Sequence, residues 1–377
     1  MRLKVRMISL TAGLALLLSG CSGRSEANPQ LGGDKDGAFL LKGVSDVEQV
    51  SQITGADSPN KTDQYAVFGT DLGSMINDGD KTYFVFGDTF ATRAEGQIGG
   101  GGDYWRSNTM AYTTDDNPAD GITLDGMIVD EIGLAKELLP SKKTDFDEMT
   151  KIPTYGIAAN GALYLYYMSV NHWGDSGQWD SNYASTAKST DGGQNWTLLD
   201  DLKWPGDSNF IQVSPYKLKV DDSHSDIYFW GIQSGRFGDG GVKLMKVAEP
   251  DIETADAYLY YAGQDEKGEP IWSSDLAQAK TVVDDTVGEL SVVWNPYLQR
   301  WLMTYLREGQ GVVIREGLAP WGPWGDAIDL VTAGEQPGLY APFMNERYIA
   351  DGGKTIYFTL SLWNPYNVFW FKASLEK

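Results

Sequence analysis

The sequence predicts an all-β domain arranged as a five-bladed β-propeller. Three observations carry that prediction. Strand-length runs rich in β-branched and aromatic residues recur along most of the chain with turn residues between them, and long helix-period segments are nearly absent. Five of the runs share one aromatic-rich look: TYFVFGDTF at 82–90, ALYLYYMSV at 162–170, DIYFWGIQS at 226–234, RWLMTYLRE at 300–308 and TIYFTLSLW at 355–363. They occur once per group of three or four strands, unevenly spaced, which suits four-stranded sheets set radially about an axis. Finally, Ser189-Thr190-Asp191-Gly192-Gly193-Gln194-Asn195-Trp196 fits the Asp-box pattern Ser-x-Asp-x-Gly-x-x-Trp of tight propeller hairpins, which gives Asp191 a structural role. A β-sandwich is the alternative, but it would bury fewer of these aromatic strands.

Taken in order, residues 1–20 read as a targeting segment. Arg2, Lys4 and Arg6 form a positive start, 8–18 is apolar, and Leu18-Ser19-Gly20-Cys21 fits the bacterial lipoprotein cleavage box. The apolar run is too short for a spanning helix. The mature chain is therefore expected to begin at Cys21, to carry lipid there and to sit at the cell envelope, with that lipid as its only membrane contact. Cys21 is the sole cysteine, so no disulfide forms within the chain. Residues 21–37, small and polar, read as a flexible tether, and 38–377 as one propeller domain. Residues 38–50 are expected to supply a strand that completes the last blade and closes the ring non-covalently.

Residues 63–90 form a hairpin. Then 96–103, GQIGGGGD, reads as a mobile loop and not a dinucleotide fingerprint, because no helix pattern follows it. Strands are expected at 108–113, 122–129, 163–170, 183–189, 195–199, 211–220, 226–232 and 242–247. More follow at 257–261, 289–295, 300–305, 311–316, 327–331, 341–349, 355–362 and 368–373. The segments 131–139 and 273–280 are the only plausible short helices.

The hairpin carries an acid on each arm. A loop centred on Asp78-Gly79 would pair Asn77 with Asp80 and Asp71 with Phe86. Asp88 would then be a diagonal neighbour of Asp71 on one sheet face, with Cα atoms about 7–8 Å apart. Two carboxylates at such a spacing suit glycoside hydrolysis, where they lie about 5–5.5 Å apart in retaining enzymes and about 6.5–9.5 Å in inverting ones. A bulge would set them on opposite faces. Both also fit turn aspartates beside Gly69, Gly73 and Gly87. Glu289, at the head of an apolar strand, is a third candidate acid: a proton donor or orienting group near the axis, or one half of a buried ion pair with an arginine.

Composition excludes several classes. Residues 1–20 hold three basic residues and no acid, so the mature chain stands at −25 against −22 for the full sequence. That argues against nucleic acid as a partner. With two histidines, His172 and His224, and no cysteine beyond Cys21, a cysteine nucleophile is excluded and a His- or Cys-ligated zinc site lacks ligands. No metal or cofactor is required by carboxylate chemistry. The 13 Trp and 20 Tyr suit stacking on sugar rings as well as core packing. Sugar contacts are expected from Trp105, Arg106 and Asn108 after the glycine loop, from His172, Trp173, Asn182 and Tyr183 in the second group, and from Arg236, Tyr340 and Trp363 at later loop ends.

FGTDLG, FGDTF, RSN, MSVxxWG with NYxxxxxSxDGGxxW, GRFG, VGELSVxWNxYLxRWLMTYL, GPW, PGLYAP and SxWxPYNV occur in this order. As an ordered set they resemble the bacterial family once called domain of unknown function 4185, now glycoside hydrolase family 183, over about residues 63–371. The resemblance implies a five-bladed propeller and endo-acting hydrolysis of α-linked D-arabinofuranose polymers such as the D-arabinan of mycobacterial arabinogalactan and lipoarabinomannan. It places the catalytic acids at Asp71 in GTDLG and Asp88 in GDTF. The chain is expected to act as a monomer on such a polysaccharide. The rival class is a glycan-binding surface lipoprotein without turnover. A sialidase-type reading, suggested by the Asp-box, would need an arginine triad, and no arginine lies in an Arg-Ile-Pro motif.

Overall fold

The computed structural model describes residues 29–32 and 37–377. Cys21, the targeting segment and most of the expected tether lie outside the described residues. The domain is an all-β, five-bladed propeller, as expected. Blade I holds Leu72–Asp78, Lys81–Phe86, Thr109–Thr113 and Gly126–Met127. Blade II holds Thr150–Ala159, Ala162–Trp173, Trp179–Ser189 and Thr197–Pro205. Blade III holds Gln212–Lys219, Ser225–Ile232, Val242–Ala248, Leu259–Gln264 and Pro270–Ser273, with Thr281–Val283 also paired to Val242–Ala248. Blade IV holds Val287–Asn295, Arg300–Arg307, Gly311–Gly317 and Ile328–Thr332. Blade V holds Leu339–Ala350, Thr355–Leu362 and Asn367–Glu376, and Gly43–Gln52 completes it from the other end of the chain.

That closure pairs Gly43 with Glu376 and Val44 with Leu375, so the ring is joined by hydrogen bonds rather than by covalent chain. Just before it, the backbone N–H groups of Leu40 and Leu41 donate to the buried carboxylate of Glu316 in blade IV. The first strand of each blade is the innermost, and these five strands neighbour one another round the axis. Each is therefore a sheet edge, which tolerates proline because no ladder hydrogen bond is lost. Pro153, Pro215 and Pro342 all sit in innermost strands. Pro153 also explains why Thr150–Ala159 was not anticipated: it interrupts the run that would mark a strand.

The aromatic signature belongs to the second strand of each blade, where rings fill the space between blades. Trp230, Trp301 and Trp370 are fully buried, and each indole N–H finds a carbonyl: Pro320, Gln30 and Pro118 respectively. The Gln30 contact corrects the expected tether. Pro29–Leu31 form a short 3-10 turn that docks on Trp301, with Leu31 against the core of blades III and IV.

Three further expectations are corrected. Residues 131–139 are not helical. Asp130 accepts from the backbone N–H of Ile132 and of Leu134, and Gly133 takes φ 83°, which makes a local turn instead. Only Leu276–Gln278 within 273–280 makes a 3-10 turn, capped by Asp275. In the 63–90 hairpin the register differs: Asp78 pairs with Lys81 and Leu72 with Phe86, with a bulge between Leu72 and Ser74. Gly79, at φ 61°, takes the first loop position, and Gly73, at φ 91°, makes the bulge. The Asp-box behaves as a fold device: Asp191 accepts from Ser189 Oγ and Asn195 N, and the Trp196 indole donates to Gly193.

Candidate active site

The five innermost strands begin at one end of the axis, and there they surround a cavity of about 720 Å³. Asp71 immediately precedes the inner strand of blade I, and Asp88 follows the second strand of that blade. Both lie beyond the regular ladder, so strand alternation no longer decides which way they face. Instead the backbone N–H of Gly87 bonds the Asp71 carbonyl at 3.1 Å, and both carboxylates line the cavity. A Cβ at Gly87 would collide with Asp71 Oδ1, so only glycine leaves the Asp71 carboxylate where it stands. Gly87→Ala is expected to fold normally yet to displace the Asp71 carboxylate, cutting turnover by roughly 10²-fold. Steady-state kinetics beside a melting curve checks it.

Each aspartate has its own set of partners. Asp71 Oδ2 accepts from the Tyr340 hydroxyl at 2.9 Å. Asp88 Oδ1 accepts from the Trp105 indole at 2.7 Å and from the Thr150 hydroxyl at 2.9 Å. Burial pushes Asp71 up to about 6 against the pull of Tyr340, Tyr366 and Arg236. Burial, and then the charge of Asp71, push Asp88 up to about 7. Between those values one proton resides on the pair. This is the condition general acid catalysis needs near neutral pH: one carboxyl able to donate beside one carboxylate able to accept or attack.

Glu289 also lines the cavity, and of its two readings the structure shows the ion pair. Arg236 Nε and Nη2 reach Glu289 Oε1 at 2.9 and 2.6 Å, and the pair is nearly buried. The guanidinium also lies over Tyr340, 4.7 Å from the ring centre, and so ties Glu289 to the partner of Asp71. Non-glycine residues in the left-handed region cluster here: Leu72, Phe237, Ala341 and Tyr366 adjoin or belong to this set, at φ 68°, 63°, 54° and 65°. Each costs on the order of 1–3 kcal/mol, a strain typical of functional sites.

Trp105, Trp173, Arg236, Tyr340 and Trp363 line the cavity. Five other expected sugar contacts are not brought to it. Arg106 is buried and donates to the carbonyls of Tyr104, Ala135 and Ala66. Asn108 is buried and bridges Leu139 and Lys151. Asn182 holds Asp147 O and Ser169 Oγ, Tyr183 packs against Tyr167, and His172 pairs with Asp145 outside the cavity. Their loop-end positions carried no sign of these local partners. Tyr366, in the quoted PYNV motif beside Trp363, lines the cavity too, whereas Thr150 joins the site without having been singled out, because it lies in the strand that Pro153 conceals. The glycine loop is laid against Trp363, with Gly99 N bonding the Trp363 carbonyl at 2.8 Å, and Gly100 and Gly101 line the cavity. Among the described residues no group of three or more His, Cys, Asp or Glu could hold a metal ion.

Residues 57–372 match the family described as Domain of unknown function (DUF4185). No curated protein matches the chain. Among solved structures, a provisionally assigned hydrolase from Bacteroides ovatus is similar at 13% identity and TM-score 0.50, over 83% of this chain and 89% of that one. The exo-β-1,3-galactanase from Phanerochaete chrysosporium is similar at 8% identity and TM-score 0.50, over 86% of this chain and 64% of that one. At these identities the likeness is one of fold.

Proposed function

The chain belongs to the DUF4185 family, and from that premise we propose that it is a glycoside hydrolase cutting internal α-D-arabinofuranosyl linkages of D-arabinan. The observation that carries the reading is the pair Asp71 and Asp88, side by side in one cavity with their affinities for the proton raised to about 6 and about 7. In this reading Asp88, the weaker acid, protonates the departing glycosidic oxygen. Asp71, steadied by Tyr340, acts as base on a water or as nucleophile. Arg236, held by Glu289, positions Tyr340. Trp105, Trp173 and Trp363 supply apolar faces for sugar rings. The arabinan substrate rests on the ordered motifs around GTDLG and GDTF. That an exo-β-1,3-galactanase has a similar fold is an analogy of scaffold. The same proposal puts lipid on Cys21 and the protein at the cell envelope, which labelling of wild type and Cys21→Ser with a radioactive fatty acid tests.

Product analysis on mycobacterial arabinogalactan tests the activity. Short arabino-oligosaccharides from wild type, absent with Asp71→Asn, are the expected outcome. Binding of the polymer with no shortening would instead make this a glycan-binding lipoprotein.

A further inference from the structure

Phe146 lies outside the cavity and is the most exposed aromatic residue among the described residues, at 71%. It sits in a turn closed by a bridge between Thr144 and Glu148. Its backbone is left-handed, at φ 59°, which costs a non-glycine residue about 1–2 kcal/mol. The turn is nonetheless pinned. Phe146 N donates to Asn171 O at 3.0 Å, and Asn182 Nδ2 donates to Asp147 O at 2.7 Å. One face of the ring lies on the His172 imidazole, with centres 4.1 Å apart and planes 13° from parallel. His172 is itself held, its Nδ1 2.7 Å from Asp145 Oδ1. The result is a flat ring, backed on one side and open to water on the other. Neither the strain nor the exposure stabilises the fold, since asparagine would relieve both.

The turn is bracketed by a residue that touches a partner of Asp88 and by one that is such a partner. Before it, Lys143 Nζ lies 5.3 Å from the ring centre of Trp105, whose indole donates to Asp88. After it, the Thr150 hydroxyl donates to the same carboxylate. Phe146 and Thr150 are four positions apart in the chain, so their Cα atoms lie within about 14 Å. On the other side His172 adjoins Trp173, a cavity wall.

We propose that Phe146 is a stacking platform for a sugar ring of a polysaccharide whose chain continues out of the cavity, a few sugars from the bond being cut. The inference rests on the hydrolase reading above. Asp145 and His172 act as positioning residues that hold the ring flat, and the contact is apolar, so salt leaves it unchanged.

The test compares the whole protein with Phe146→Asn and Phe146→Tyr. The melting temperature of Phe146→Asn should equal or exceed that of wild type, since asparagine accepts the left-handed backbone. Its KM for D-arabinan should rise roughly fivefold to tenfold with kcat unchanged. A short arabino-oligosaccharide confined to the cavity should show no change, and Phe146→Tyr should restore KM on the polymer. An unchanged KM on the polymer overturns the platform. Should wild type release no product, the hydrolase reading fails, and affinity electrophoresis in gels containing D-arabinan, xylan or galactan decides the platform separately. Retardation of wild type that Phe146→Asn loses upholds it; equal mobility of the two overturns it.

Discussion

Asp88→Asn is expected to lower turnover on D-arabinan by roughly 10²–10⁴-fold while leaving polymer binding within a few-fold of wild type. The amide keeps the shape and can still accept from Trp105 and Thr150 through its oxygen, but it has no proton to give. Asp71→Asn should cost at least as much, for the opposite reason: it can neither attack nor take a proton. The pH profile of wild type follows from the same two groups. Activity needs Asp71 ionised and Asp88 protonated, so it should peak between about 6 and about 7. It should fall on the acid side as Asp71 gains a proton and on the alkaline side as Asp88 loses one. A flat profile across that range would remove the pair from catalysis.

Stability should move the other way. A carboxyl whose affinity for the proton is raised by folding favours the fold fully below its unfolded value of about 4 and loses that contribution as pH rises through its folded value. For Asp88 that loss runs from about 4 to about 7. Asp88→Asn should therefore melt higher than wild type at pH 8, and the gain should vanish toward pH 4. An inactive variant that is also more stable is the signature of a site held against its own electrostatic cost.

Arg236→Met is expected to destabilise the fold by about 3–5 kcal/mol, because it leaves the Glu289 carboxylate buried and unpaired close to Asp71. The ion pair itself is not the source of that figure. Replacing both partners, as Arg236→Met with Glu289→Leu, should recover much of the loss, since the penalty comes from the orphaned charge. Urea unfolding of the two single variants and the double variant measures the coupling. A double variant no more stable than Arg236→Met would show that the arginine acts through the Tyr340 and Trp179 rings, 4.7 and 5.6 Å from its guanidinium, and not through Glu289.

The fold was legible because its signals are local. Aromatic strands recur once per blade, the Asp-box names its own hairpin, and residues 38–50 had nowhere to pair but the open edge of the last blade. What escaped was set by tertiary position. Pro153 reads as a strand breaker, and only its place on an inner edge makes Thr150–Ala159 a strand, so Thr150 could not be connected to Asp88. Arg236 meets Glu289 across two blades, and no spacing in the chain foretells which arginine meets which acid. Arg106, Asn108 and Asn182 look like sugar contacts in a loop, yet each is consumed by backbone carbonyls that only the folded turns bring near. Asp71 and Asp88 reach the same cavity through a different hairpin register, because both stand past the end of the ladder.

The seam of the ring has a direction. Leu339 lines the cavity and Ala350 ends the same strand at the far side of the propeller. Ala350 pairs with Thr355, Thr355 with Ser374, and Ser374 with Ser45. The chain therefore joins the propeller on the face away from the cavity, where Lys42 N meets Glu376 O at 2.8 Å. A load drawn through the N-terminal end reaches the turn on Trp301 and the Glu316 clasp before it reaches the seam. The N-terminal side of the seam and the cavity thus lie on opposite faces of the wheel.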